Sequence, residues 1–509
     1  MTSTSGGAGH PSAGGGQATA AGTRRIPAGE AEQADGTAAR GATGDAVPWA
    51  ALAGLGALGA VLGYLAKYPC RFGGAWLDGG QYAAACYSDV FPLYYRDGLD
   101  QGLVPYIDKP VEYPVLTGGL MHLVARAVSG LPDTITRALA YFDVTALVMG
   151  VCLTATVLAT GWLAGRGGVH PPEGAAFDRG RALLAGGATA LVPAGVLTAY
   201  INWDHLAVAL FTVGLALYAR GGRWQWGGGA LIGLAVAAKF YPFLVFGPIL
   251  VLVLRRLLGR GGLAAGDLLR PLGGAAAAWA AVNAPVALAA PEGWATFFAF
   301  SRERGTDWGS VYYVLGGHGL VDSADHDLVN TFGTVGLAAA CALIAVLGVA
   351  ARRPPRLEQL LLLTVAAFLI TNKVWSPQFV LWLIPLAVLA WPRNLGTWPP
   401  VAAFALWQAA EVGYFFGIWQ HLLHTTAAAQ GVEAGLAFGG YALLSLGRLT
   451  TLAVLCGVTV ADITAAGRRA ADPASGAAAG PGIGTGAESG GGPGRGPWTA
   501  PGEGGESAP

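Results

Sequence analysis

The stretch FGTVGLAAACALIAVLGVAA, Phe332 to Ala351, runs for 20 residues without a charged side chain. About 20 helical residues cross a hydrocarbon core ~30 Å thick, so this segment reads as a membrane span. A second run of the same length, ALLAGGATALVPAGVLTAYI from Ala182 to Ile201, reads the same way. Across all 509 residues 53% are hydrophobic and 12% charged, roughly half the charged fraction of a soluble domain. Such a chain cannot solvate its own surface. The expected class is an all-α, polytopic transmembrane bundle of about 11 to 13 membrane helices in the cell membrane, with no soluble catalytic domain.

Lysine plus arginine equals aspartate plus glutamate at 30 each, so the net charge gives no reason to expect a nucleic-acid partner. Residues 1–45 and 466–509 are rich in Gly, Ala, Pro and Ser and are expected to be disordered cytoplasmic tails around a membrane domain at 46–465. No cleavable leader is read before the first apolar run near Val47, which is expected to stay as an anchor. Cys152, Cys341 and Cys456 lie in apolar runs and read as packing residues. Cys70 and Cys86 fall together in the first polar loop, where an oxidising compartment would allow a disulfide.

Arginine sets the expected topology, because basic residues in short loops stay cytoplasmic. It collects at Arg24 and Arg25, Arg166 to Arg181, Arg220 to Arg223, Arg255 to Arg270, Arg352 to Arg356, Arg393, and Arg468 with Arg469. The outward segments are then Lys67 to about Arg137, the turn Asn202 to Asp204, Pro291 to Asp327, Asn372 to Gln378, and Trp419 to about Glu433. Parity requires Tyr113 to Gly130 to lie along the outer face as an interfacial helix. It also favours Trp226 to Leu254 as two short helices folded back on each other around Lys239-Phe240-Tyr241-Pro242; a single kinked crossing is the alternative.

The first outer loop carries Tyr87-Ser88-Asp89, Tyr94-Tyr95-Arg96-Asp97, and Val104 through Pro114 with Lys109, Glu112 and Tyr113. Carboxylates here can deprotonate an acceptor hydroxyl, aromatics can stack on sugar rings, and Arg96 or Lys109 can neutralise phosphate. Later come Asn202-Trp203-Asp204, Ala238-Lys239-Phe240-Tyr241-Pro242, Arg302 and Arg304 in an aromatic-rich loop, and Lys373 before Trp375-Ser376-Pro377-Gln378-Phe379.

In this order the motifs resemble the GT-C membrane glycosyltransferases, and within them the polyprenol-phosphate-mannose-dependent enzymes of glycosyltransferase family 87. The Tyr-Ser-Asp at Asp89, the Gly-x-x-Pro-Tyr at Gly102 to Tyr106 and the pair Tyr113-Pro114 match the family's first loop; Val115 stands where the family commonly has a second proline. The resemblance spans roughly residues 47 to 460. It implies inverting transfer of a hexose, mannose first, from a polyprenyl-phosphate-linked donor to a lipid or glycan acceptor outside the cytoplasm. Asp89 would be the base. Tyr87, Tyr95, Arg96, Lys109, Glu112, Tyr113, Asn202, Asp204, Lys239, Tyr241, Arg302, Arg304, Lys373 and Gln378 would bind substrate. No cofactor or obligatory metal is expected, because a lipid monophosphate leaves without a nucleotide.

Structural alternatives stand beside each role. Asp89 can cap an interfacial helix, and Asp204 can cap the helix after its turn. Glu112 and Asp97 can pair with Lys109 and Arg96. Lys239, costly within a membrane, can pair with a buried carboxylate such as Glu411. The aromatics around Arg302, Glu303, Arg304 and Asp307 can form an interfacial belt. His318, His326, His421 and His424 are too scattered for a metal set. A transporter is the competing class, with Lys239, Glu411 and Asp143 as its intramembrane charges; no internal repeat supports it.

Overall fold

In a computed structural model the described residues are 46–471. Both expected tails therefore lie outside them, except that the last helix runs on to Ala471. The described chain is all-helical. In order come α1 (Trp49–Leu65), α2 (Tyr68–Arg71), α3 (Val90–Arg96), α4 (Val115–Val128), α5 (Thr134–Gly165) and α6 (Arg179–Leu191). Then follow α7 (Pro193–Thr198), α8 (Asp204–Tyr218), α9 (Trp224–Ala238), α10 (Phe246–Leu257), α11 (Gly266–Ala289) and α12 (Pro291–Glu303). The chain closes with α13 (Val311–Gly317), α14 (His326–Ala350), α15 (Leu357–Thr371), α16 (Val380–Leu389), α17 (Trp398–Ala428) and α18 (Phe438–Ala471).

Among the described residues five helices are long and apolar enough to cross a membrane: α5, α11, α14, α17 and α18. The chain is a membrane protein. The outermost legs, α11 and α14, bury little of themselves and present Leu288, Val335, Leu343 and Val346 outward, the apolar surface that lipid rather than water would cover. At the centre the helices are short, 15 residues for α15 and 10 for α16, and almost wholly buried.

Starts and breaks follow local chemistry. Asp133, Asp178 and Asp325 accept hydrogen bonds from the backbone of the first turns of α5, α6 and α14, satisfying otherwise orphaned N–H groups. The run Ala182 to Ile201, expected as one span, is instead two helices, because Pro193 cannot continue α6 and Val192 before it is extended. Helices approach closely at glycines. A Cβ on Gly229 would strike the backbone of Pro271, and one on Gly233 the backbone of Ala275, so α9 and α11 run side by side in the same direction.

The arginine-bearing loops gather at one end. Arg255 donates to the carbonyls of Gly348 (3.1 Å) and Val349 (2.8 Å), and Arg393 donates to the Gly167 carbonyl (3.0 Å). Arg356 reaches the carbonyls of Leu389, Ala390 and Trp391, while Asp462 accepts from the backbone of Arg393 and Asn394. Gln225 donates to Asp267 (2.7 Å), bringing the starts of α9 and α11 together there.

Trp226 to Leu254 is accordingly two legs, broken where Lys239 is extended, and both outer ends return to the arginine face. The legs do not fold back on each other as expected: α9 packs on α8 and α11, whereas α10 packs on α14, α11 and α15. The segment Tyr113 to Gly130 holds α4, with Thr117 donating to the Ala238 carbonyl (2.8 Å) at one end and Arg126 and Ser129 beside Tyr94 and Asp100 at the other. One end thus meets the end of α9 and the other stays with the first loop. Cys70 and Cys86 are disulfide-bonded.

Candidate functional site

At the end opposite the arginines, the segments expected to face outward converge on one cavity of about 640 Å³. Its first wall is Tyr87-Ser88-Asp89. Ser88 donates through Oγ to the Tyr200 carbonyl (2.8 Å) and Asp89 through its amide to the Ile201 carbonyl (2.6 Å). Lys67, 0% exposed, donates through Nζ to the carbonyls of Tyr87 (2.9 Å) and Leu197 (3.4 Å). Asp89 holds the cap position of α3 without making a side-chain cap bond, so its carboxylate stays available to the cavity that it lines. Burial pushes that carboxyl up to about 6, against the opposing pull of the Tyr87 phenol and the Lys239 ammonium. Burial lowers Lys67 to about 7, with the Asp89 charge acting against it.

Arg96, also on the wall, pairs with Asp97 (2.7 Å) and Glu112 (3.1 Å). The expected pairing therefore holds for arginine. It fails for Lys109, whose ammonium goes to the Arg96 carbonyl and lies outside the cavity lining. Tyr95 also falls outside, packed edge-on against Phe91 and Tyr94.

The second wall is the break after α9. Lys239 Nζ lies 3.0 Å from Asp204 Oδ1 and above the rings of Phe379, Tyr113 and Trp382 at 5.1, 5.6 and 5.8 Å. Asp204 is 2% exposed, lies behind the cavity surface, and accepts from Trp382 Nε1 (3.0 Å). Asn202 Oδ1 accepts from the Asp204 amide (2.9 Å), and Tyr241 stacks on Trp382 with centroids 4.2 Å apart. Lys239 does not pair with Glu411, as one expectation had it; the carboxylate opposite it in space comes from the Asn-Trp-Asp turn.

Glu411 belongs instead to Arg448 (2.8 Å), a pair with almost no exposure. Arg448 donates to the carbonyls of Trp375 (2.9 Å) and Ser376 (3.2 Å) and is sandwiched by the rings of Trp375 and Tyr414, each 4.2 Å away. This buried cation supports the third wall, which carries Arg304, Asp307, Lys373, Ser376 and Gln378. Asp307 accepts from Ser376 Oγ (2.7 Å), its amide donates to the Lys373 carbonyl (2.8 Å), and Arg304 stands 3.9 Å away. Lys373 donates to the Arg302 carbonyl (2.8 Å), and burial and the Arg304 charge both lower its pKa. Arg302 serves through that carbonyl alone: its side chain is 76% exposed, beside Glu303 and outside the lining.

Aromatic rings make up much of the rest of the lining, among them Tyr82, Trp308, Tyr414, Trp419, Phe240, Phe297 and Phe298, with apolar Leu93, Ile201, Val374 and Ile418 between them. Asp143, a candidate relay for transport, is held at the outer end of α5 by Arg71 (2.7 Å) and Tyr64 (2.8 Å). His421 takes the Tyr313 hydroxyl (2.9 Å) and faces the Leu436 carbonyl (3.2 Å).

Of the residues expected to form the site, Tyr87, Asp89, Arg96, Glu112, Tyr113, Asn202, Lys239, Tyr241, Arg304, Lys373 and Gln378 line this cavity. Sequence reasoning missed Lys67 and Arg448; Asp307, weighed there only together with its arginine neighbours, joins the wall. Arg448 had a visible signal, an arginine inside the apolar run of the last helix, the type of intramembrane charge that requires a partner.

No family model matches the chain, and no curated protein matches it. Among solved structures it is similar to the crystal structure of ArnT from Cupriavidus metallidurans bound to undecaprenyl phosphate. The two share 16% sequence identity at a TM-score of 0.38, over 75% of this chain and 73% of that one.

Proposed function

We propose that the protein is an integral membrane glycosyltransferase of the GT-C type that transfers a hexose, mannose first among candidates, from a polyprenyl-phosphate donor to a cell-envelope lipid or glycan. The reading rests chiefly on one cavity at the arginine-poor end that joins a base-competent carboxylate to cations and aromatic rings drawn from distant loops. The order of motifs resembling glycosyltransferase family 87 supports it. The positive-inside pattern supports a cavity on the extracytoplasmic side of the plasma membrane, and a Cys70–Cys86 disulfide is consistent with that side.

In this mechanism the acceptor hydroxyl gives its proton to Asp89 as its oxygen attacks the anomeric carbon. The bond from that carbon to the phosphate oxygen breaks with inversion, and its electron pair leaves on the lipid phosphate. Arg304 and Lys373 meet that developing charge. Among the described residues Lys373 has no carboxylate partner, and Arg304 keeps only a loose one at 3.9 Å, whereas Arg96 and Lys239 are already paired at 3.0 to 3.1 Å. No step requires a metal.

Asp89→Asn is expected to reduce transfer by about 10² to 10⁴ while the protein stays folded. The assay uses purified protein in nanodiscs, radiolabelled polyprenyl-phosphate mannose and a crude lipid and glycan extract as acceptor. Full turnover by the variant would remove Asp89 from the role of base. Absence of transfer from every polyprenyl-phosphate sugar tried would shift the reading to transport.

A further inference from the structure

We propose that Tyr82 and Tyr87, backed by Trp419, form the acceptor subsite, and that the acceptor is a glycan presenting a pyranose ring rather than a bare lipid alcohol or a protein side chain. This rests on the transferase reading of the same cavity. Tyr82 stacks with both partners, at 25° to Tyr87 with centroids 5.7 Å apart and at 11° to Trp419 at 6.2 Å, while Tyr87 is tilted at 36° to Trp419 at 4.9 Å. Trp419 is buried beneath, while both tyrosines are only partly covered and line the cavity.

A pyranose offers one face of polarised C–H groups, which suits the electron-rich face of an aromatic ring, and a rim of hydroxyls, which suits phenols. The other aromatic wall has different chemistry. Phe240 and Phe298, 48% and 40% exposed, carry no polar group and suit hydrocarbon.

Position assigns the tyrosines to the acceptor. Tyr87 is two residues from Asp89, and Tyr82 and Tyr87 line the same cavity as that carboxylate; burial, and after it the Asp89 charge, raises the pKa of the Tyr82 phenol, so both rings stand beside the base that must take the acceptor proton. The cations available to a donor phosphate, Arg304 and Lys373, come from other loops and lie close to each other. The Tyr82 ring is also presented by a fixed turn. Ala84 and Cys86 donate backbone bonds to Gly80 and Gln81, Ala85 takes the left-handed conformation at φ 50°, and Cys86 is tied to Cys70.

The test is saturation-transfer NMR on the full-length protein in nanodiscs, with mannose, glucose and galactose disaccharides as probes, run on the wild type, Tyr82→Ala and Tyr82→Phe. At least one disaccharide is expected to receive saturation on its C–H protons, with affinity falling roughly five- to tenfold in Tyr82→Ala and recovering in Tyr82→Phe. In transfer assays the acceptor KM should rise by the same factor in Tyr82→Ala while the donor KM moves far less. Binding by none of the sugars, or equal binding by Tyr82→Ala, overturns the subsite. If the wild type transfers nothing yet Tyr82→Ala still loses sugar binding, the subsite stands and the transferase reading fails. Transfer with an unchanged acceptor KM in Tyr82→Ala has the opposite meaning.

Discussion

Asp89 is defined by what holds its backbone: the Ile201 carbonyl takes its amide, and buried Lys67 fixes the Tyr87 carbonyl two residues before it. Desolvation raises the carboxyl to about 6, well above the ordinary aspartate range near ~3.9. The base role proposed for Asp89 requires the deprotonated carboxylate, so kcat/KM should be level above this value and fall as pH drops through it; an acid limb near pH 4 would contradict the burial. Lys67→Met should leave the fold intact, because the substitution removes a costly buried amine, but it frees the Tyr87 segment to shift. Turnover is expected to fall roughly 10- to 100-fold with donor KM little changed, measured alongside thermal unfolding to separate positioning from collapse. The Tyr-Ser-Asp motif was legible as a string of residues. Lys67 was not, since nothing in its apolar surroundings shows that two distant carbonyls, at Tyr87 and Leu197, will close over it.

At the scale of the element, the break after α9 does the positioning. Lys239 ends that helix in extended backbone, Thr117 on α4 takes up the carbonyl of Ala238, and Asp204 at the start of α8 receives the ammonium. Patterning predicted the break, since a lysine and a proline interrupt an apolar run, but not the partner, because pairing is decided by which helix starts alongside. The break of Ala182 to Ile201 at Pro193 is equally written in one residue, whose ring and missing N–H outweigh the length of the apolar run. Packing beside the break depends on absent side chains: Gly233 faces the Ala275 backbone. Gly233→Leu should force α9 and α11 apart at a cost of about 1 to 3 kcal/mol, seen as a lower melting temperature in detergent and weakened transfer. Unchanged stability would mean that the contact is not tight.

For the whole molecule, arginine proved the most informative residue type. The basic loops from Arg166, Arg220, Arg255, Arg352 and Arg393 meet at one end, and the segments predicted to oppose them meet at the other. Separation of charge along the chain thus became separation in space. Single cysteines placed at Gly261 and Gly431 in a background lacking the free thiols should differ in labelling by a membrane-impermeant maleimide on intact cells, with only the Gly431 position reacting. Reaction at both, or at Gly261 alone, would reverse the orientation. The depth of the cavity was not legible, because it arises where several loops sink between helices rather than in any one of them.

The short central helices have an electrical consequence. A 15-residue helix such as α15 is about 22 Å long, less than the ~30 Å hydrocarbon core around it. Water entering the cavity above it conducts, so in an energised membrane the voltage drop concentrates across the thinner protein left between the cavity floor and the arginine face. The field there is steeper than in the surrounding lipid, and the paired charges of the second wall, Lys239 and the Asp204 behind it, stand near its edge.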